Sequence, residues 1–300
     1  MVKCTIDMVI DYVVPMVFAD DVEWQKLHEK VGGRFDSNNT VEHVRYRNWG
    51  TERLLIECVR KFMPWLRNIY ILLAQESQKQ DWMDELGVKV VYHREFIPER
   101  FLPIFNSRGM EMFLKNIPGL SDTFIYGNDD MFPVKPLSEE DFFVEGKPCQ
   151  TYKQKDFPLV PNQYHRACRN GLNFVAKEFG FEYQRTWLKN GHSIAPILKS
   201  SCEHLWKRGG REIEASITPY REECNFNQYI YGWYQHFTGN YVEHSPSRKY
   251  VNVKNGIDGI IEALSGDDYQ IVCVNDNEVV DDIEPFAKFV RSAIKKKLRN

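Results

Sequence analysis

What most constrains the fold is a recurrence of short apolar, β-branched runs separated by stretches with helical periodicity. Residues 8–18, 68–74, 88–92 and 122–127 read as strands, because Val, Ile, Tyr and Leu crowd each run. After the first of them, Asp20 and Asp21 can cap a helix carrying Trp24 and Leu27. Residues 51–62 put Leu54, Leu55, Cys58, Val59 and Phe62 on one helical face, and shorter helices are expected at 80–86 and 107–116. Strands alternating with helices indicate an α/β fold with a mostly parallel sheet. The stretch 156–235 reads as a largely helical, aromatic subregion, 269–274 as a further strand, and a basic amphipathic helix is expected from about residue 282.

The chain has 300 residues, enough for one large α/β domain, and the reading adopted is a single domain over 1–300. A net charge of −3, from 39 basic and 42 acidic residues, argues against a nucleic-acid partner. The seven cysteines are widely spaced with no Cys-x-x-Cys pair, so reduced thiols and a cytoplasmic setting are expected rather than a disulfide framework. No signal-peptide pattern opens the sequence, and no apolar run is long enough to span a membrane.

The sharpest local feature is Asn128-Asp129-Asp130, directly after an apolar strand. Open α/β sheets bind ligands beyond the carboxyl ends of their strands, and paired carboxylates there suit a hard cation such as Mg²⁺ or Mn²⁺. An Asx turn explains the same residues without chemistry. Asn275-Asp276-Asn277 repeats the arrangement after the strand at 269–274. His192, in Asn190-Gly191-His192-Ser193, is either a polar loop contact or a general base. Arg221 offers a fork of donors suited to phosphate, as do Arg45, Arg47 and Arg53, although each also reads as a surface residue. His43, His93 and His165 show no metal-ligand spacing, and no Walker loop, G-x-G-x-x-G or G-x-S-x-G is present.

Several blocks together resemble the Stealth family of sugar-phosphate transferases. The longest runs from Arg60-Lys61-Phe62-Met63-Pro64-Trp65-Leu66-Arg67-Asn68-Ile69-Tyr70-Ile71 through His93-Arg94-Glu95-Phe96-Ile97-Pro98 and Leu102-Pro103-Ile104-Phe105-Asn106-Ser107. It ends on Phe124-Ile125-Tyr126-Gly127-Asn128-Asp129-Asp130-Met131-Phe132. Weaker blocks are Ile10-Asp11 through Trp24, then Gly191-His192 with Tyr220-Arg221, Asn225, Asn227 and Tyr231, and finally Cys273-Val274-Asn275-Asp276. One departure stands out: the family's first block usually carries Trp-Val-Asp-Gly where this chain has Met16-Val17-Phe18-Ala19. Phe18 occupies the place of the usual aspartate, whose role is then absent or taken over by Asp20 or Asp21.

The resemblance implies a Rossmann-like fold that binds a nucleotide sugar and transfers a sugar-1-phosphate from a UDP-sugar donor to a hydroxyl of a glycan or lipid-linked oligosaccharide, with a divalent metal. It implies Asp129, Asp130, His192 and Arg221 as catalytic residues, without deciding between the two aspartates. Asp276, Asn275 and Asp129 are the expected metal ligands. Asp11, Arg45, Arg47, Arg53, Asn106, Ser107, Asn128 and Asn225 are the expected substrate-binding residues. Two competing readings are a metal-dependent glycosyltransferase that releases UDP, and a nucleotide-sugar-binding module without turnover, the latter motivated by Phe18. In the final helix, Phe286, Phe289, Val290, Ala293, Ile294 and Leu298 form an apolar stripe beside Lys295-Lys296-Lys297. That stripe suits either the core or peripheral contact with anionic lipid.

Overall fold

The computed structural model describes residues 8–32, 44, 46–276, 280 and 282–299. Arg45 and Asn277, together with Cys4, His43 and most of the loop expected near residues 31–40, lie outside the described residues. The chain opens with β1 (Ile10–Pro15), α1 (Val22–Lys30), α2 (Glu52–Phe62) and β2 (Ile69–Leu73). It continues through α3 (Asp81–Glu85), β3 (Lys89–Tyr92), α4 (His93–Phe96), α5 (Ser107–Glu111) and β4 (Thr123–Tyr126). Four short strands follow: β5 (Met131–Pro133), β6 (Phe143–Val144), β7 (Lys147–Gln150) and β8 (Tyr152–Asp156). The remainder is α6 (Gln163–Ala176), β9 (Thr186–Asn190), β10 (Ala195–Leu198), α7 (Lys199–Ala215), α8 (Tyr229–Phe237), β11 (Val242–Glu243), β12 (Arg248–Asn252), α9 (Gly256–Ser265), β13 (Ile271–Asn275) and α10 (Glu284–Arg299).

The principal sheet has the order β10-β4-β1-β2-β3. Its last four strands are parallel, and β10 is an antiparallel edge. This is the expected Rossmann-like, mostly parallel α/β arrangement. Parallel strands need both faces covered, and the side chains alternate accordingly. Ile10, Tyr12, Val14, Ile69, Ile71, Leu73 and Ile125 enter one core with α2, α9 and α10. Val13, Tyr70, Leu72, Phe124 and Tyr126 enter the other with α6, α7 and α8.

A second sheet, β12-β13-β5, carries the chain's other strand end of interest. The region 156–235 holds three helices but also β9 and β10, and β10 completes the principal sheet. The apolar stripe of α10 is engaged in the core: Ala287, Val290 and Ile294 are buried, with Phe286, Phe289, Ala293 and Leu298 packed around them. Lys297 donates to the Gly266 carbonyl and to Asp267, so the basic tail is also tied to the fold. Among the described residues, no helix is long and apolar enough to cross a membrane.

Candidate active site

β4 hands the chain from one sheet to the other, and the acidic motif sits at the joint. Gly127 closes the strand by donating its N–H to the Val13 carbonyl at 3.0 Å. A side chain here would meet Tyr12: a Cβ atom would lie 2.9 Å from Tyr12 Cζ and closer still to its hydroxyl, which only glycine avoids. The chain then turns through Asn128-Asp129-Asp130 and enters β5, which pairs antiparallel with β13. The Val274 N–H donates to the Asp130 carbonyl at 2.9 Å, fixing the end of the turn.

Asp130 is thus delivered to the end of β13. Asn275 Nδ2 donates to Asp130 Oδ2 at 2.8 Å, and Cys273 Sγ lies 3.3 Å from the same oxygen. His192 arrives on the turn between β9 and β10, and the register Ala195↔Tyr126 brings that turn beside the end of β4. Its Nε2 is 3.7 Å from Asp130 Oδ2, and its Nδ1 is 3.1 Å from the Tyr229 hydroxyl. The pairing of strands therefore gathers residues 130, 192 and 273 from three distant parts of the sequence.

The two aspartates differ in environment. Burial disfavours the charge on Asp130, but His192, Asn275 and Cys273 outweigh it and hold its carboxyl below the usual range. For Asp129 its own backbone N–H and the Arg221 charge favour the ionised form but do not prevail. Although part of its side chain is open to solvent, the surrounding protein withdraws water, and the negative charges of Asp130 and Glu52 add to that effect. Together they push it up to about 7. Asp130 Oδ1 and Asn128 Oδ1 are buried and have no hydrogen-bond partner in the structure. Buried polar atoms without partners are costly, and two such oxygens at one turn suit a cation or the donor of a ligand.

Arg221 is close enough to Asp129 and to Glu111 to favour the charged form of each. Its loop is held by neighbours that have no part in chemistry. Tyr220 stacks on Phe105 with centroids 5.5 Å apart and donates its hydroxyl to the His28 carbonyl. Asn225 donates to the Ser216 carbonyl at 2.6 Å and to Thr218 Oγ1 at 2.8 Å, while its own Oδ1 accepts the Glu222 N–H at 2.7 Å. Arg108, buried beside Arg221, has its pKa lowered by burial and by that second cation.

Several residues expected to touch substrate or metal do other work. Asp11 lies at the amino end of β1, the far end of the sheet from Asp130. There it accepts from Arg67 Nε at 2.9 Å, Asn68 Nδ2 at 3.0 Å and the Ser121 N–H at 2.8 Å. Asp276, an expected metal ligand, is held in this structure by Arg47, with Nε at 2.9 Å and Nη2 at 2.6 Å, and by Trp49 Nε1, which donates at 2.7 Å. Arg47 is correspondingly paired with Asp276. Asn275 turns its amide nitrogen to Asp130, and its Oδ1 accepts from the Tyr250 hydroxyl at 3.0 Å. Arg53 is on the outer side of α2, paired with Glu57 and Glu85. Asn106 caps α5 through the Gly109 N–H and ties it to the Thr218 carbonyl, so it joins α5 to the Arg221 loop. Ser107 is the first residue of α5. Asn225 is the loop clamp already described.

The donors at the turn suit a hard divalent cation. Asp129, Asp130 Oδ1 and Asn128 Oδ1 are all oxygen, the chemistry Mg²⁺ and Mn²⁺ prefer. Of the expected set Asp276, Asn275 and Asp129, Asp276 has its oxygens engaged by Arg47 and Trp49, and Asn275 turns its nitrogen to Asp130. Phe18, in the place of the family's usual aspartate, is buried in the core. Asp21 caps α1 by accepting the Glu23 N–H. Asp20 is exposed, and its charge adds to the effect of burial in raising the pKa of Glu52.

Four neighbours of the site escaped the sequence reading. Tyr12 sits mid-strand with a buried, unpartnered hydroxyl, and Asp130 and Asp129 raise its pKa further beyond the effect of burial. Cys273 belongs to the block Cys273-Val274-Asn275-Asp276, but nothing in that block marks its thiol as a neighbour of Asp130. Arg108 follows Ser107 directly, and Tyr229 lies on a helix of apolar aspect. The signal available for the last two was proximity to Asn106-Ser107 and to Asn225, not residue type.

The family profile described as Stealth protein CR2, conserved region 2, matches residues 45–150, which include α2, β2 to β4 and the whole acidic turn. The receptor polysaccharide phosphotransferase WefC of Streptococcus oralis is 29% identical over 92% of this chain and 92% of its own. The capsular polysaccharide phosphotransferase WcwK of Streptococcus pneumoniae is 26% identical over 95% of this chain and 96% of its own. For the capsular polysaccharide phosphotransferase LcbA of Neisseria meningitidis the identity is 27%, over 82% of this chain and 70% of its own. Among solved structures, the galactosyltransferase LgtC gives a TM-score of 0.46 at 10% identity over 95% of each chain, too slight a likeness to add to the sheet order already described. The chain thus carries the Stealth family's conserved region 2 across its acidic turn, and along most of its length it is similar to polysaccharide phosphotransferases.

Proposed function

We propose that this chain is a phosphotransferase that moves a sugar-1-phosphate from a UDP-sugar to a hydroxyl of a cell-surface glycan or its lipid-linked precursor, forming a phosphodiester and releasing UMP. The observation that carries the reading is the convergence of Asp129, Asp130 and His192 where β4 passes into β5, inside a Stealth chain. Phosphoryl transfer asks a protein mainly for in-line positioning and for neutralisation of charge.

Each requirement has a candidate among these residues. His192 Nε2 takes the proton of the acceptor hydroxyl; the Tyr229 contact at Nδ1 fixes the ring, and Asp130, 3.7 Å away, stabilises the imidazolium that forms. The acceptor oxygen then attacks the β-phosphorus, and the bond from that phosphorus to the oxygen of the α-phosphate breaks. The sugar C1–O bond stays intact. Arg221, with Arg108 behind it, holds an equatorial phosphate oxygen. Asn128, Asp129 and Asp130 would hold a divalent cation, which supplies charge neutralisation of the diphosphate.

The test is to incubate purified protein with a panel of UDP-sugars, a hydroxyl acceptor and Mg²⁺ or Mn²⁺, and to separate the nucleotides. UMP with an acid-labile sugar phosphate is the expected product. UDP with a plain glycoside would replace this reading by a glycosyltransferase, and binding without turnover would reduce the chain to a nucleotide-sugar-binding module.

A further inference from the structure

The side of Asp130 turned away from the oxygen cradle has a different chemical character. Three elements bring a carboxylate, an imidazole and a thiol together there: Asp130 from the turn, His192 from the loop before β10, and Cys273 from β13. One ligand atom from each lies within 4.8 Å of the others. Asp130 Oδ2 is 3.3 Å from Cys273 Sγ and 3.7 Å from His192 Nε2. A tetrahedral zinc with bonds of about 2.3 Å to sulfur and about 2.0 Å to nitrogen and oxygen separates its ligand atoms by roughly 3.3–3.5 Å. The two measured edges lie at and slightly above that range, and the third, between His192 and Cys273, is within 4.8 Å.

The surroundings are those of a metal centre as well. His192 Nδ1 is held by the Tyr229 hydroxyl, which orients Nε2 toward Asp130, and Asn275 Nδ2 fixes Asp130 Oδ2 at 2.8 Å. Partners of this kind orient ligands in metal sites. Cys273 is buried, whereas the side chains of His192 and Asp130 keep 29% and 18% of their surface, so an ion has a path in from the crevice. Sulfur and imidazole favour zinc over Mg²⁺, which prefers oxygen.

We propose that Asp130, His192 and Cys273 form a zinc site, distinct from the oxygen cradle and sharing only Asp130 with it. On binding, Cys273 loses its thiol proton to solvent and its sulfur becomes a ligand; no redox change is involved. The consequence for catalysis rests on the function proposed above: zinc occupies the nitrogen that would accept the acceptor's proton, so it inhibits transfer even when Mg²⁺ is plentiful.

Cobalt(II) tests the site without any substrate, because a thiolate bound to it gives a charge-transfer absorption. The full chain, reduced and saturated with Mg²⁺, should develop that absorption at one equivalent of cobalt and lose it on adding one equivalent of zinc. Cys224→Ser, at an exposed thiol, should retain it. Cys273→Ser and the isosteric Cys273→Val should both lose it, and His192→Asn should weaken zinc binding by at least about tenfold in a chelator competition. Absence of the band in the parent protein, or its survival in a folded Cys273 variant, would overturn the site. Because the spectrum is read without donor or acceptor, an error in the transferase reading appears separately, in the nucleotide assay.

Discussion

Asp11 and Asp130 are both aspartates at strand ends in one continuous fold, and they stand at opposite ends of the principal sheet. At the amino end, Asp11 is fully enclosed, and its oxygens are taken by Arg67, Asn68 and the Ser121 N–H. At the carboxyl end, Asp130 Oδ1 and its neighbour Asn128 Oδ1 are buried with no partner, and burial, then the charges of Asp130 and Glu52, push Asp129 up to about 7. A carboxylate with every oxygen satisfied closes a structure. One whose oxygens are held in position and left open is prepared for something that arrives. Sequence spacing alone treats the two alike, since each follows or begins an apolar run. The hydrogen-bond inventory separates them.

Substitution should separate them by what fails. Asp130→Asn keeps the shape of the side chain but removes the charge facing His192, so we expect turnover to fall by about 10²-fold or more with the melting temperature nearly unchanged. Arg221→Ala and His192→Ala should behave likewise, and near-normal rates in all three folded variants would dissolve the contrast. Removal of divalent cations with EDTA should abolish activity and leave the fold intact; full activity in metal-free protein would leave the open oxygens without an explanation.

Asp11→Ala should do the reverse. It leaves Arg67 without its acid and the Ser121 N–H buried without a partner, for a loss of about 2–3 kcal/mol, at or below the low end expected for a broken buried pair because Arg67 is partly exposed. The rate per folded molecule should hold. Burial opposes the charge on Asp11, but Arg67, Ser121 and Asn68 lower its pKa overall. Its stabilisation is therefore present above the ordinary aspartate pKa near 3.8 and lost as pH falls through the lower folded value. Denaturant titrations between neutral and strongly acid pH should show a smaller acid-side loss in Asp11→Asn than in the parent. An equal loss would remove Asp11 from the account.

How far the sequence carried this division follows from what kind of information each part needs. β1 to β4, α1 and α2 were legible because their apolar periodicity is local. The α/β class follows from their alternation. Asp129, Asp130 and His192 were legible only with the family blocks, since each taken singly reads equally well as a turn or a loop contact. The pairing of β5 with β13 was not legible: β5 spans only Met131–Pro133, and its partner lies far along the chain, so no short-range pattern reports it. For the same reason Cys273 and the occupation of Asp276 by Arg47 and Trp49 came only with the structure. Asp11, Asn106 and Asn225 lie within or beside the family blocks for a reason of fold: they hold elements that hold the site.

Phe18→Asp installs the carboxylate usual at this place in the Stealth family, and so asks whether the site needs it. Phe18 is buried, and its backbone carbonyl accepts from Gln78 Nε2, so the position is packed rather than open to the crevice. Inserting a charge there should cost about 3 kcal/mol and give no gain in turnover. Asp20→Asn should instead leave the melting temperature unchanged, because Asp20 is exposed, and a lower rate would show that it has taken over the missing carboxylate's role. If Phe18→Asp raises turnover, the missing aspartate was a lost function and Asp20 has not replaced it.

The smallest effect is expected at Arg53, which the sequence offered as a phosphate ligand. It is exposed on α2 and pairs with Glu57 at 3.0 Å and Glu85 at 2.9 Å, both on the outer surface. Such pairs exchange water for protein at little net gain and are screened by salt. Arg53→Ala should therefore leave the rate and the donor KM within about twofold, and the melting temperature unchanged within error at physiological salt. A rise of tenfold or more in KM would mean that α2 turns this face to the donor during turnover. The open end of the sheet would then extend beyond the turn at Asn128–Asp130, and the line drawn here between closing and receiving residues would have to move with it.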